Sequence, residues 1–234
     1  MSQVVLRADG LSKQFVLRHN RGGLKQKLVG MFNPRYRERK EKFHAVSDVS
    51  FTLSKGESLA LIGHNGSGKS TLLQLASGIL KPSSGSVQST GRIAPLIELG
   101  VGFHHELTGA ENIYLNASLY GLKNKETRAR FNRIVDFSGL GDFIDTPVKN
   151  YSSGMYMRLG FSVAVHVDPQ TLLADEVLAV GDAEFQGKCF QRIRDMQDEG
   201  MALVLVTHSH DQARHFCQRF LTLEKGRVVD QGHL

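Results

Sequence analysis

The chain has no tryptophan, two cysteines and five prolines in 234 residues. Two cysteines, Cys189 and Cys217, are too few for a disulfide framework and read as reduced thiols of a cytosolic protein. No apolar run approaches the roughly 18 to 20 residues of a bilayer-spanning helix. The opening MSQVVLRADG lacks the apolar stretch of a secretory signal. Low-complexity tracts and solenoid repeats are missing as well. What remains, 41% hydrophobic and 22% charged residues, is ordinary globular composition and excludes disorder, collagen and coiled coil. The length fits one α/β domain with a subdomain, here taken as residues 1–234.

An even spread of charge is also lacking. The net charge is +6, yet nine Lys or Arg stand against two Glu between Arg18 and Lys42, a local +7 that leaves the rest near −1. An anionic partner, membrane surface or nucleic acid, is expected at that segment and nowhere else. Within residues 18–44, Leu24, Leu28, Met31 and Phe32 fall on one face of a short helix ringed by Arg21, Lys25 and Lys27. Asn33-Pro34 ends it, and the charged run Arg35 to Lys42 follows. A basic amphipathic helix suits the headgroup level of a membrane or a groove under a membrane subunit; the alternative is a solvated surface hairpin.

Residues 1–17 alternate as an early strand. From Ala45 onward short apolar runs alternate with helical patterns, as in an α/β fold. Strands are expected at Glu57–Ile62, Thr171–Asp175 and Met201–Thr207. Helices are expected at Ser70–Gly78, Phe185–Glu199 and over much of 107–166, and a hairpin around Lys225-Gly226.

Gly63-His-Asn-Gly-Ser-Gly-Lys-Ser70 fits G-x-x-x-x-G-K-[ST] between a strand and a helix, the context this phosphate loop needs. Its glycines let backbone N–H groups converge on one concavity, to which the helix adds its positive end. Gly63, Asn65, Gly66, Ser67, Gly68, Lys69, Ser70 and Thr71 are nucleotide-binding candidates. Lys69 is expected on the β- and γ-phosphates and Ser70 on Mg²⁺. Leu172-Leu-Ala-Asp-Glu176 is an apolar strand ending in two acids. Asp175 suits a metal ligand, and Glu176 suits the group that orients or deprotonates the attacking water. His208 follows another strand, at the crevice edge where open α/β sheets bind ligands, and is a candidate for the γ-phosphate. His210 stands second to it.

Tyr151-Ser-Ser-Gly-Met155 and the helical run after it resemble the signature stretch of ATP-binding-cassette (ABC) ATPases. This variant looks like the subunits that export bacterial surface polysaccharides: O-antigen, capsule and teichoic acid. Leu99 to Ile113, Asp175 to Asp182 and Phe185 to Cys189 resemble the same subgroup, in the family's order. The resemblance implies a P-loop ABC ATPase fold: a RecA-like core, an antiparallel β-subdomain, and a helical subdomain over about 107–166. It implies a homodimer in which each ATP lies between one copy's phosphate loop and the other's Ser152, Ser153, Gly154 and Met155. It places Asp182 at the dimer seam and Phe15 on the adenine. Where the family usually carries a Gln after the strand following the phosphate helix, this chain has none, and Glu98 is proposed as its replacement on Mg²⁺.

The same resemblance implies an ATPase subunit at the cytoplasmic face of the bacterial inner membrane. Its partner is a separate transmembrane permease dimer that moves a lipid-linked polysaccharide. The amphipathic insertion favours O-antigen over capsule, whose exporters tend to lack it. The chain ends just after the hairpin, near Gly232. The carboxyl-terminal glycan-binding domain of some relatives is therefore expected to be absent, unless the chain is cut short. A nucleic-acid-associated cassette is the competing class. The single cassette, the missing coiled-coil insertion and the signature speak against it, so no nucleic-acid partner is expected.

Overall fold

The computed structural model describes residues 3–19, 39–97, 99–175 and 181–234. Nine strands and six α-helices follow one another there. β1 (Val4–His19), β2 (Arg39–Ser54) and β4 (Ser84–Ser89) form an antiparallel sheet in the order β2-β1-β4. The second sheet has the order β5-β6-β7-β3-β8-β9. Its strands are β3 (Ser58–Ile62), β5 (Ile93–Leu96), β6 (Thr171–Asp175), β7 (Ala202–Val206), β8 (Arg219–Glu224) and β9 (Arg227–His233). The first five in space run parallel and β9 turns back antiparallel.

The helices are α1 (Lys69–Ala76), α2 (Gly109–Leu119), α3 (Asn124–Ser138), α4 (Ser153–Ala164), α5 (Ala183–Asp198) and α6 (His210–Phe216). β3 and β7 are buried at every residue, which is why they read as unbroken apolar runs. Their alternate side chains feed two cores. Leu59, Leu61, Val204 and Val206 meet Leu72, Leu73 and Leu75 of α1 and the antiparallel sheet. Ala60, Ile62, Leu203 and Leu205 face the other way, toward Ile113, Phe161, Phe185 and Ile193 of the remaining helices. α1 therefore lies between the two sheets and has little freedom to move.

Residues 107–166 are the expected helical region, α2 to α4 with short 3₁₀ turns at Gly141–Phe143 and Val148–Asn150. The hairpin at Lys225-Gly226 also forms. Both turn residues have positive φ, 48° and 78°, as a two-residue type I′ turn requires. The basic segment departs from its reading at both ends. Arg39 to Lys42, read as the end of a charged run, belongs to β2, and the β1–β2 ladder reaches His19↔Arg39. The amphipathic face Leu24, Leu28, Met31 and Phe32 lies outside the described residues, as do Glu98 and Glu176.

Candidate functional site

Strand β3 stops at Ile62 and α1 starts at Lys69, so the glycine-rich loop fills the gap at the carboxyl edge of the sheet. A side chain at Gly63 would run into the carbonyl of Leu223 on β8, and one at Gly68 into the carbonyl of Ala45 on β2. Both positions also have positive φ, so only glycine fits. The loop is tied from outside too. Gly226 N–H donates to the Ser67 carbonyl at 2.8 Å, and Ser47 N–H donates to the Gly226 carbonyl at 2.8 Å. The hairpin turn thus wedges between β2 and the loop and holds both.

Lys69 is 6% exposed. Its ammonium donates to the carbonyls of Gly63 at 2.7 Å and His64 at 3.0 Å. No carboxylate is among these partners. A buried cation whose acceptors among the described residues are neutral, at the positive end of a helix, is suited to an anion. Ser67 Oγ, buried without a hydrogen-bond partner among the described residues, adds a donor nearby.

The loop opens on a cavity of about 530 Å³ lined by Asn65, Gly66, Gly68, Lys69, Ser70, Thr71 and Asp175, together with Phe43 and Ala45 of β2. Asp175 is brought here by register. It pairs with Val206, which pairs with Leu61, so the acid ends β6 level with the start of the loop. A hydroxyl (Ser70) and a carboxylate (Asp175) in one wall are oxygen donors of the kind Mg²⁺ takes, so the residues present fit the ion. Most of the expected phosphate-site residues are therefore gathered in one place.

Others are not. Phe15 does not line this cavity; Phe43, its cross-strand partner, does. His208 lies with His210, Gly63, His64, Asn65, Thr222 and Glu224 in an adjoining cavity of about 940 Å³, which shares Asn65 with the first. His208 thus sits beside the loop, on the side of β8 and β9.

The signature residues line neither cavity. Ser152 caps α4, its hydroxyl accepting from Met155 N–H at 3.2 Å, and Ser153, Gly154 and Met155 form the first turn. Asp182 caps α5 and accepts from Phe185 N–H at 2.9 Å. That backbone bond, reinforced by Arg158, holds the Asp182 carboxyl below its ordinary range.

Three residues that sequence reasoning passed over stand out. Arg158, inside the signature helix, ion-pairs with Asp182 and lies over the Phe185 ring at 5.0 Å. Tyr156, two residues earlier on the same helix, donates from its hydroxyl to the Gly100 carbonyl at 2.9 Å and meets Phe103 edge-on. Asn112 is fully buried and holds the loop from His104 to Thr108 with four hydrogen bonds. Their signal was a polar or aromatic residue at a helix position facing the core, which periodicity alone reads as packing.

Residues 46–179 match the family model described as ABC transporter. The chain belongs to the ABC transporter family, as an ATP-binding cassette. It is 47% identical to the O-antigen export system ATP-binding protein RfbB of Klebsiella pneumoniae over 97% of this chain and 93% of that protein. The teichoic acids export ATP-binding protein TagH of Listeria innocua is 39% identical over 95% of this chain and 65% of its own length. Among solved structures, the ATP-binding subunit of an ABC transporter superposes with a TM-score of 0.77 at 25% identity, over 98% of this chain and 90% of the other. A dimeric cassette bound to ADP and Pi, at 22% identity and a TM-score of 0.74 over 98% of each chain, shares the fold. The expected fold, a P-loop core with an antiparallel β-subdomain and a helical subdomain, is the one observed.

Proposed function

We propose that this cassette is the ATP-hydrolysing subunit of an exporter that drives a lipid-linked surface polysaccharide, O-antigen, across the inner membrane. The observation that carries this reading is the near full-length likeness to O-antigen export ATP-binding proteins, at 46–47% identity. The likeness to teichoic acid export proteins supports teichoic acid cargo as the second reading. No helix among the described residues is long and apolar enough to cross a membrane. We therefore assign the membrane path to a separate permease dimer, with the cassette at its cytoplasmic face.

The chemistry follows from the site. Backbone amides of residues 65–71 and the Lys69 ammonium take up the β- and γ-phosphates of ATP, Lys69 exchanging carbonyl partners for phosphate oxygens. Ser70 and Asp175 would hold Mg²⁺, with Glu98 in the role proposed above, and the bound ion would supply charge neutralisation at the phosphates. Glu176 orients and deprotonates the attacking water, His208 contacts the γ-phosphate, and Phe15 stacks on the adenine. Since Ser152 to Met155 lie outside the walls of both cavities, we place them on the ATP of a second copy. Asp182 then lies at the seam.

The test is Glu176→Gln in the full chain. ATP hydrolysis should fall by at least about a hundredfold, in the range for a lost general base, while ATP drives the variant into a stable dimer on gel filtration. Normal turnover, or a monomer at saturating ATP, sinks the reading. Mg²⁺ titration of Glu98→Gln tests that residue separately, since an unchanged profile removes it from the ion. For the cargo, deletion of the gene should leave polysaccharide on its lipid carrier inside the cell.

A further inference from the structure

β5 ends at Leu96, level with Ala174 and so next to the Asp175 that lines the phosphate cavity. The chain then turns through Gly100, where φ is 80°. This loop lies directly against the signature helix α4. A side chain at Gly160 would meet the Gly100 nitrogen at 2.7 Å, and one at Gly100 would run into the Tyr156 ring. Two glycines thus bring the helix onto the loop backbone, and one aromatic ring fills the remaining space.

Tyr156 also binds across that contact. Its hydroxyl donates to the Gly100 carbonyl at 2.9 Å, which accepts a second bond from Phe103 N–H at 2.9 Å. Phe103 meets the ring edge-on at 5.0 Å, and His105 lies nearly parallel to it at 6.2 Å. The loop is stiff beyond this grip, because the buried Asn112 amide accepts from His104 N–H and donates to the Leu107 carbonyl. At its backbone, Tyr156 N–H donates to the Ser152 carbonyl at 2.9 Å. That bond closes the first turn of α4, the turn that holds Ser152 to Met155.

We infer that Tyr156 is a positioning residue for ATP hydrolysis. It fastens the signature turn to the loop after β5, and so sets how far Ser152 to Met155 reach toward the ATP of the second copy. This rests on the dimer reading above and adds to it a residue and a direction of effect. Tyr156 lines neither cavity, so it acts on ATP through the signature turn and leaves its own phosphate loop as it is.

Tyr156→Phe removes the hydroxyl and keeps the ring. Its kcat should fall about three- to tenfold, the worth of one hydrogen bond. The Kd for ATP, measured at protein concentrations where the chain is monomeric, should stay at the wild-type value. Adding Tyr156→Phe to Glu176→Gln should raise the protein concentration needed for ATP-driven dimerisation on gel filtration by at least about threefold. A wild-type kcat in Tyr156→Phe, or an unchanged dimerisation midpoint in the double variant, overturns the inference. So does an ATP Kd that rises in step with the loss of kcat, since the effect would then lie in the chain's own phosphate loop. Should Glu176→Gln alone stay monomeric at saturating ATP, the dimer reading fails and this inference with it.

Discussion

Arg158 Nη2 lies 2.5 Å from Asp182 Oδ2, joining the signature helix to the acid that caps the next helix. The same guanidinium covers the Phe185 ring, and a side chain at Gly181 would press on its Nε at 3.3 Å. A shift of α4 therefore drags the start of α5 with it. In the dimer proposed above both ends belong to the contact with the second copy, so Arg158 acts as a positioning residue.

Arg158→Ala should lower kcat on the order of tenfold, the equivalent of about 1.4 kcal/mol in the barrier, with the ATP Kd little changed. α5 keeps its cap, because Asp182 still accepts from Phe185 N–H. The pair is solvent-accessible, so thermal stability should barely move. Arg158→Lys, which restores the charge but not the fork, should recover part of the rate. The Asp182 carboxyl is depressed first by the Phe185 N–H and then by Arg158. Its contribution is present above the ordinary carboxylate range and is lost as pH falls through the depressed value, so the kcat ratio of wild type to Arg158→Ala should be constant from neutral pH down to that range. A ratio that changes near neutrality would show that another group carries the effect.

Gly226 supports the phosphate loop from below. A methyl there would meet the Ala45 carbonyl at 2.6 Å and the Val46 Cα at 3.1 Å, at a φ of 78°. Gly226→Ala should destabilise the chain by about 1–3 kcal/mol and weaken ATP binding, since Gly226 N–H holds the Ser67 carbonyl. Gly66→Ala is the control. It has the same φ but open space around it, so only the backbone strain, about 1 kcal/mol, should appear in the thermal melt. Equal ATP affinity in Gly226→Ala and wild type would detach the hairpin turn from the site.

Much of this was legible in the chain itself, for identifiable reasons. β3, β6 and β7 are buried on both faces, so their sequences are short apolar runs with nothing to confuse them. The phosphate loop is contiguous, and two of its glycines, Gly63 and Gly68, are fixed by contacts that few other residues survive. Phe43 and Arg158 were not legible, because their roles come from partners 28 and 24 positions away, Phe15 and Asp182. No local pattern encodes a cross-strand register, or which helix a guanidinium reaches. The basic segment reads from the sequence as residues 18–44, but its end from Arg39 onward lies in β2. A charged strand has the same composition as a charged loop.

His166 should make stability depend on pH. Burial lowers the imidazole pKa below its ordinary value, against the opposing pull of the Ser162 carbonyl, 2.7 Å from Nδ1. The ring also meets Phe137 edge-on at 5.2 Å. A depressed pKa means that the unfolded chain takes up the proton first. Stability is then full above the unfolded value of about 6.5 and declines as pH falls through it toward the folded value. Urea midpoints between about pH 7.5 and pH 5.5 should fall more steeply for wild type than for His166→Gln. Parallel slopes would remove His166 as the source.

Burial dominates the chemistry of the two cysteines, against only the opposing Arg158 charge at Cys189. Cys189 is fully buried on α5 among the side chains around Phe185 and Ile193, and Cys217 is buried after α6. Burial pushes both thiols up to about 12. The thiolate is the reactive form, so at about pH 8 only on the order of one part in ten thousand is ionised, and that part is screened from solvent. A thiol reagent should therefore label neither cysteine in the folded chain and both in denaturant. Labelling under native conditions should follow global unfolding, with the same dependence on urea as the loss of helix signal. Cys189→Ser places a hydroxyl in an apolar cluster and should destabilise by about 1–3 kcal/mol. Rapid modification of Cys189 in the native protein would mean that α5 opens locally, and with it the Asp182 cap through which Arg158 is proposed to act.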